Sequence, residues 1–329
     1  MTTRRQFLAN ISVGTVALAT TTHIAWARNT FPSRPVRLVC ASPAGAPIDA
    51  ISRKLAELLS RRLGVAVVVE NKAGAVGVLA ASDVARSTDG HSFLVTTNSP
   101  LVTAPSVMKS LPYDPATAFA LISKVGASPV VLVANPGFKA NSLAELVADF
   151  KSGKLKATYG SWGPGTMPVQ VMESFARKAG VKVTEIPYRG SPPALQDVLA
   201  NQVDMTFLSP HVAAPMIAEG KLKPLAVVGK HRAKSLPNVQ TFPEAGFRDF
   251  IFTNATWAGV AGPARMERAT LDRMASEIQA CVRDPAMDGF LASIGFEAVG
   301  NTPAAFNAEF RAELAVIPPL LRDLGVVPQ

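Results

Sequence analysis

A chain of 329 residues with 48% hydrophobic side chains has material for two domains of ordinary size. Its formal charge of +9 comes from scattered Lys and Arg residues, never more than two in a row, which argues against nucleic acid as a partner. Two cysteines without a CxxC and four histidines without HExxH spacing leave a metal centre unsupported.

The chain opens on a leader. Residues 1–27 combine the charged start Arg4-Arg5, an apolar middle and the small-residue ending Ala25-Trp26-Ala27, the pattern of a cleaved export signal. Arg4-Arg5 followed by Phe7-Leu8 resembles a twin-arginine signal, and an ordinary secretory signal with a basic start stays open as the alternative. The apolar run is diluted by Thr20, Thr21, Thr22 and His23, and it falls short of the ~20 residues of a membrane helix. Cleavage removes two of the 33 basic residues and none of the 24 acidic ones, leaving a formal +7. A soluble periplasmic protein is expected.

From Val36 short apolar runs alternate with amphipathic ones: VRLVCA, IDAISRKLAELLSRRLG, VAVVVEN, VGVLAASDVARS and SFLVTT. In the first helix Ile48, Ile51, Leu55, Leu58, Leu59 and Leu63 recur at helical spacing while Arg53, Lys54, Arg61 and Arg62 face water. A second alternating series runs from PVVLVANP near residue 129 to LKPLAVVGK near residue 230, so the fold class is α/β. After FTNATWAGVAGP come two long helical stretches, 264–293 and 303–324, broken by GFEAVGN and with no strands of their own to cover. They are expected to return to the first domain. That makes a discontinuous lobe of 28–128 plus 256–329 around a second lobe of 129–255. Cys40 in an apolar strand and Cys281 in a helix either form a disulfide or stay as two buried thiols.

Three strand-to-helix turns share one design. SPAGAPID places Gly45 in the turn, Pro47 near the helix start and Asp49 in the first turn; GSWGPGTMP has Thr166 as its expected N-cap and Pro168 just inside. YRGSPPA repeats the pattern with Gly190, Ser191 as the expected cap and Pro192. Each leaves backbone N–H groups unpaired at a helix start, where anions are favoured. In open α/β sheets such turns face a ligand cleft, which suits a small carboxylate.

Trp162, among Gly160, Gly163 and Gly165, has few local side chains to bury it. It is expected either to pack against a neighbouring element or to form a cleft wall over the bound acid. Enzyme signatures are missing. In Gly160-Ser161-Trp162-Gly163 the serine directly follows its glycine, unlike a GxSxG elbow. GAVG at 74–77 lacks the third glycine of a dinucleotide fingerprint, and GPGT lacks the lysine of a phosphate loop. His91, His211 and His231 have no partner set by spacing. No catalytic residue is nominated and no cofactor is expected; a secreted α/β hydrolase is the remote alternative.

The segments FPSRPVRLV, VVVENKAGAVGVLAASDVA, DGHSFLVTT, LPYDP, SLAELVA, YGSWGPGT, IPYRGSPPALQDVLANQVD, GKLKPLAV and VGNTPAAF, in this order, span the mature chain. They resemble the extracytoplasmic receptors of the tripartite tricarboxylate transporter group, the Bordetella uptake gene (Bug) proteins. The resemblance implies a two-lobed, Venus-flytrap fold of the type II periplasmic-binding-protein class that closes by a hinge on a small organic acid. It implies delivery to inner-membrane transporter subunits, with presentation to a membrane signalling partner as the alternative, and a monomer.

Carried over by motif, the ligand-binding residues are Pro43, Ala44, Gly45, Ala46 and Asp49 of the first loop, Thr97, Asn98 and Ser99, Ser161, Trp162, Gly165 and Thr166, and Arg189 and Gly190. Leu208 joins them as a departure, standing where the family often carries an aspartate for a ligand amine, so an amino-acid ligand is disfavoured. PAGA replaces a common Pro-Pro-Gly-Gly turn, so Ala44 and Ala46 reduce backbone freedom there. Trp162 and Met167 replace small polar residues and Val169 a frequent histidine, which implies an acid with an apolar or aromatic body.

Overall fold

The computed structural model describes residues 31–152, 157–163 and 165–328. The expected leader, 1–27, lies outside the described residues. Strand β1 (Val36–Cys40) feeds helix α1 (Pro47–Leu63), which buries Ile48, Ile51, Leu55, Leu58 and Leu59. α1 closes on Gly64 at φ 70, a left-handed cap that costs glycine no Cβ clash. β2 (Val67–Asn71), α2 (Val78–Arg86) and the wholly buried β3 (Ser92–Thr96) follow. A wide π-type turn over Ser99–Thr103 and the short α3 (Ala104–Val107) come next. β4 (Phe119–Ser128) then passes through Pro129 alone into β5 (Val130–Ala134).

The second series comprises α4 (Leu143–Lys151), β6 (Thr158–Ser161), α5 (Met167–Ala179), β7 (Thr184–Pro187), α6 (Ser191–Leu199), β8 (Met205–Leu208), α7 (Pro210–Ala218) and β9 (Lys223–Val228). The chain returns through α8 (Phe250–Thr253) to β10 (Thr256–Pro263), then α9 (Arg268–Val282), α10 (Pro285–Ser293), β11 (Glu297–Ala298) and α11 (Pro303–Asp323).

Two sheets result, β11-β4-β10-β3-β1-β2 and β7-β6-β8-β5-β9. β1 lies parallel to both β2 and β3, as helical crossovers require, whereas the returning β10 runs antiparallel between β3 and β4. Two details correct the sequence reading of the C-terminal part. The stretch 264–293 is two helices, because Asp284 caps a new start by accepting the Ala286 N–H ahead of Pro285. GFEAVGN is no mere break, since it contains β11, which pairs with the edge of β4. Ser191 is likewise the first helical residue of α6, the cap position going to Gly190 at φ 104. Cys40 and Cys281 are free, buried thiols in one apolar cluster; burial raises both pKa values, that of Cys281 to about 11.

The two strands that link the sheets, β4 and β10, are tied to α11 by a buried polar group. Trp257 Nε1 donates to Glu313 Oε1 at 2.7 Å, and Lys124 Nζ lies 2.7 Å from Glu309 and 3.4 Å from Glu313. The ammonium also sits 5.4 Å from the Trp257 ring centre and 5.5 Å from that of Phe306, within reach of both π faces. Gly259 makes this packing possible: a Cβ there would stand 2.9 Å from the Phe306 ring.

Burial pushes the Glu313 carboxyl above the ordinary carboxylate range, against the pull of Lys124. A raised folded-state value means the folded protein binds more protons than the unfolded chain between the two values, so stability falls as pH rises through that window. Lys124→Met should therefore cost about 3–5 kcal/mol at pH 7, the range for a buried charge stripped of its partner. The deficit should shrink as acidification neutralises Glu313. Urea unfolding of wild type and variant at pH 7 and pH 5 measures both effects; an equal deficit at the two pH values would refute the electrostatic account.

Candidate ligand cleft

In the first turn, expected to offer an anion its N–H groups, one of them is taken by the chain's own Asp49. Asp49 Oδ2 accepts the Gly45 N–H at 2.9 Å and Arg53 Nε at 3.1 Å, while Oδ1 accepts Asn71 Nδ2 at 2.9 Å. Burial opposes the charge, but the hydrogen bonds from Arg53, Gly45 and Asn71 hold this carboxyl below its ordinary pKa. Pro43, Ala44 and Gly45 are exposed, and Ala46 is the N-cap of α1.

The principal cavity, about 870 Å³, lies between the two sheets and is lined from both. From the first come Thr97, Asn98 and Ser99 at the end of β3, then Thr103, Val107 and Met108. Ala75 and Val76 form a rim at φ 47 and 56; a β-branched residue rarely adopts this left-handed backbone, and such strain concentrates at functional edges. The second contributes Trp162, Gly165, Thr166, Met167, Val169, Gln170 and Glu185. Ile251, Asn254 and Thr256 line it beside the return crossing, and Leu324–Val327, just past α11, close the wall.

Six of the fifteen residues singled out from sequence thus meet at one cavity: Thr97, Asn98, Ser99, Trp162, Gly165 and Thr166. The five of the first turn do not line it, nor do Ser161, Arg189, Gly190 and Leu208. Arg189 is exposed, Gly190 caps α6, and Leu208 packs in the core of the second lobe. Ser161 is fully buried: its hydroxyl donates to Glu185 Oε1 at 2.6 Å and accepts the Gly163 N–H at 3.3 Å. Its one proton is therefore committed inside the lobe.

Trp162 packs on a neighbouring element and also borders the cavity. Its Nε1 donates to the Phe207 carbonyl at 3.2 Å and part of the ring packs on the core, while another part faces the cavity. That tether to β8 fixes the ring as a rigid wall. The turn behind it is just as ordered: Thr166 Oγ1 donates to the Gly163 carbonyl at 2.7 Å and Gln170 Nε2 to that of Gly165 at 2.8 Å. At Gly165, φ 69, an added Cβ would also press on Leu321 at 3.4 Å. At the head of α5, Pro168 has no N–H, and the Val169 N–H meets no acceptor among the described residues. The side chains of Asn98 and Ser99 are likewise without partners among the described residues.

Met167 and Val169, from which the resemblance implies a more apolar pocket, line the cavity. Other contributors lie beyond what sequence reasoning finds. Glu185, two residues before the PYRG motif, reads as ordinary strand material. Leu324–Val327 leave no local signal at all, because only packing of α11 against α3 of one lobe and α5 and α8 of the other brings them to the cleft. Among the described residues no cluster of three His, Cys, Asp or Glu could hold a metal.

Two α/β lobes enclosing a cleft lined from both sides by unspent hydrogen-bonding groups define a solute-binding protein. A family model described as tripartite tricarboxylate transporter family receptor matches residues 51–324. The chain belongs to that family. It is 30% identical over 299 residues to the protein BugT of Bordetella pertussis, covering 90% of this chain and 91% of the relative. Among solved structures it is similar to the periplasmic binding protein BugD, at 32% identity and TM-score 0.68, covering 91% of this chain and 100% of the other. It is also similar to Rpa4515 of R. palustris, solved with adipate, at 28% identity and TM-score 0.71, with 91% and 100% covered.

The bonding of Asp49 sets a stability test. Its lowered folded-state pKa means its contribution is present above the unfolded value and is lost as pH falls through the folded one. Asp49→Ala should cost about 1–3 kcal/mol at pH 7, since it leaves the Gly45 and Asn71 donors without their acceptor. The gap from wild type should narrow toward pH 3, as read from denaturant midpoints.

Proposed function

We propose that this protein is a periplasmic receptor that captures a small organic acid with an apolar or aromatic body between its lobes. It hands that acid to inner-membrane transporter subunits and does not transform it. The carrying observation is the make-up of the cleft. Asn98 and Ser99 from one lobe and the head of α5 from the other offer uncommitted hydrogen-bonding groups, while Trp162, Met167, Val169, Met108 and Val326 supply an apolar wall. Helix starts and neutral donors bind carboxylates without a counter-cation. Family membership and the adipate held by Rpa4515 support an acid as the ligand.

In this reading the lobes are 28–128 plus 256–329 and 129–255, hinged at Pro129 and beside Asn254. Thr97, Asn98, Ser99, Trp162, Gly165 and Thr166 meet the ligand directly. Ser161 acts from behind by holding Glu185, while Asp49 and its turn (Pro43, Ala44, Gly45, Ala46), Arg189, Gly190 and Leu208 stay outside the cavity lining. The receptor works as a monomer after cleavage of the twin-arginine-like leader. Among the described residues no helix is long and apolar enough to cross a membrane.

A panel of aliphatic and aromatic carboxylates should include members that raise the melting temperature by mass action and are recovered chemically unchanged. Steady conversion of a stabilising acid would sink the receptor reading. Trp162→Ser should weaken an apolar-bodied acid by roughly ten-fold, about 1.4 kcal/mol, as the loss of an aromatic wall implies. It should also lower the ligand-free melting temperature, because the Phe207 carbonyl loses its donor. Calorimetric titration and a melt of the same variant read the two effects separately; unaltered affinity would remove Trp162 from the site.

A further inference from the structure

Glu185 is the only ionisable side chain among the described residues that line the cleft. Its place follows from register. It stands opposite Tyr159 across the parallel β6–β7 pair, on the face that also carries Ser161 two residues on, and Ser161 donates to its Oε1 at 2.6 Å. No Lys, Arg or His lies within ion-pair distance of it among the described residues. The other charged group that feels it most is a second carboxyl, Glu173 of α5, which bonds Tyr159. Burial and then the Glu185 charge hold Glu173 above the ordinary carboxylate range, with Arg177 opposing. The cleft therefore combines neutral donors, an apolar wall and one unneutralised acceptor.

We propose that Glu185 selects the ligand: the cleft takes a monocarboxylate carrying a hydrogen-bond donor, hydroxyl or ammonium, away from its carboxylate, and it rejects dicarboxylates. This rests on the organic-acid reading and narrows it. A second carboxylate entering this hollow meets a like charge with no cation among the described residues to offset it, and like charges repel strongly where water is excluded. A hydroxyl or ammonium at the same place donates to Glu185 and makes a charge-assisted hydrogen bond.

The test uses two matched sets of acids titrated calorimetrically into the mature protein. One is hexanoate, 6-hydroxyhexanoate, 6-aminohexanoate and adipate; the other is benzoate and its para-hydroxy, para-aminomethyl and para-carboxy derivatives. In the wild type, within the set that binds, the hydroxyl or ammonium member should bind at least roughly ten-fold tighter than the dicarboxylate. This ranking needs no variant.

Glu185→Gln keeps an oxygen for the Ser161 hydroxyl, and a melt of the ligand-free variant checks its fold. It should tighten the dicarboxylate and weaken the ammonium member, each by roughly ten-fold, with little effect on the unsubstituted monocarboxylate. A dicarboxylate that matches or beats the donor-bearing acids in the wild type, or a ranking unmoved by Glu185→Gln, overturns the assignment and leaves the organic-acid reading standing. Binding of no acid by either protein overturns both.

Discussion

The buried meeting of Lys124, Glu313 and Trp257 is the interaction on which the two-lobed form depends. β4 and β10 are the strands from which the chain passes between the sheets, and they lie side by side under α11. A purely apolar contact there would tolerate sliding, since dispersion has no direction. The indole N–H, the ammonium and the carboxylates demand particular partners at particular distances, so the two strands and the helix keep one register. Because α11 also packs on α5 and α8, that register extends to the second lobe, and the wall formed by Leu324–Val327 inherits its position from it.

The electrostatics of the cleft follow from a similar economy. In the first turn, which the general pattern would assign to an anion, the Gly45 N–H is taken by Asp49. The Ser161 hydroxyl is saturated by Glu185. Free capacity is left at Asn98, Ser99 and the head of α5, where the backbone and side chains are held but not paired. Among the described residues the cleft lining carries no basic side chain, and neutral donors there cannot offset a second misplaced charge.

Much of the architecture is legible in the sequence because it rests on local pattern. The stripe from Ile48 to Leu59 specifies which face of α1 meets the sheet, and alternation of apolar runs with helices specifies an α/β fold. The family can be read from ordered short motifs for the same reason. The C-terminal part is less legible: Asp284-Pro285 ends one helix and caps the next within two residues, and a two-residue strand such as β11 has no period to detect. Site residues divide along the same line. Turns announce themselves through glycine and proline, but whether a turn faces solvent, its own carboxylate or a cavity is decided by residues far away in the chain. Asp49 reaches back to Gly45 yet is also held by Asn71, and Glu185 belongs to the cleft only through β6.

The two described tryptophans occupy opposite optical environments. Trp257 is fully buried, with its N–H bonded to Glu313, so its emission is an internal constant that solutes in the cleft do not touch. Trp162 is anchored through its N–H to the Phe207 carbonyl yet shows part of its ring to the cavity, so a solute at the proposed site would meet an indole of fixed orientation. Occupancy of the proposed site would then be read in the fluorescence of one indole, against the buried one in the same chain.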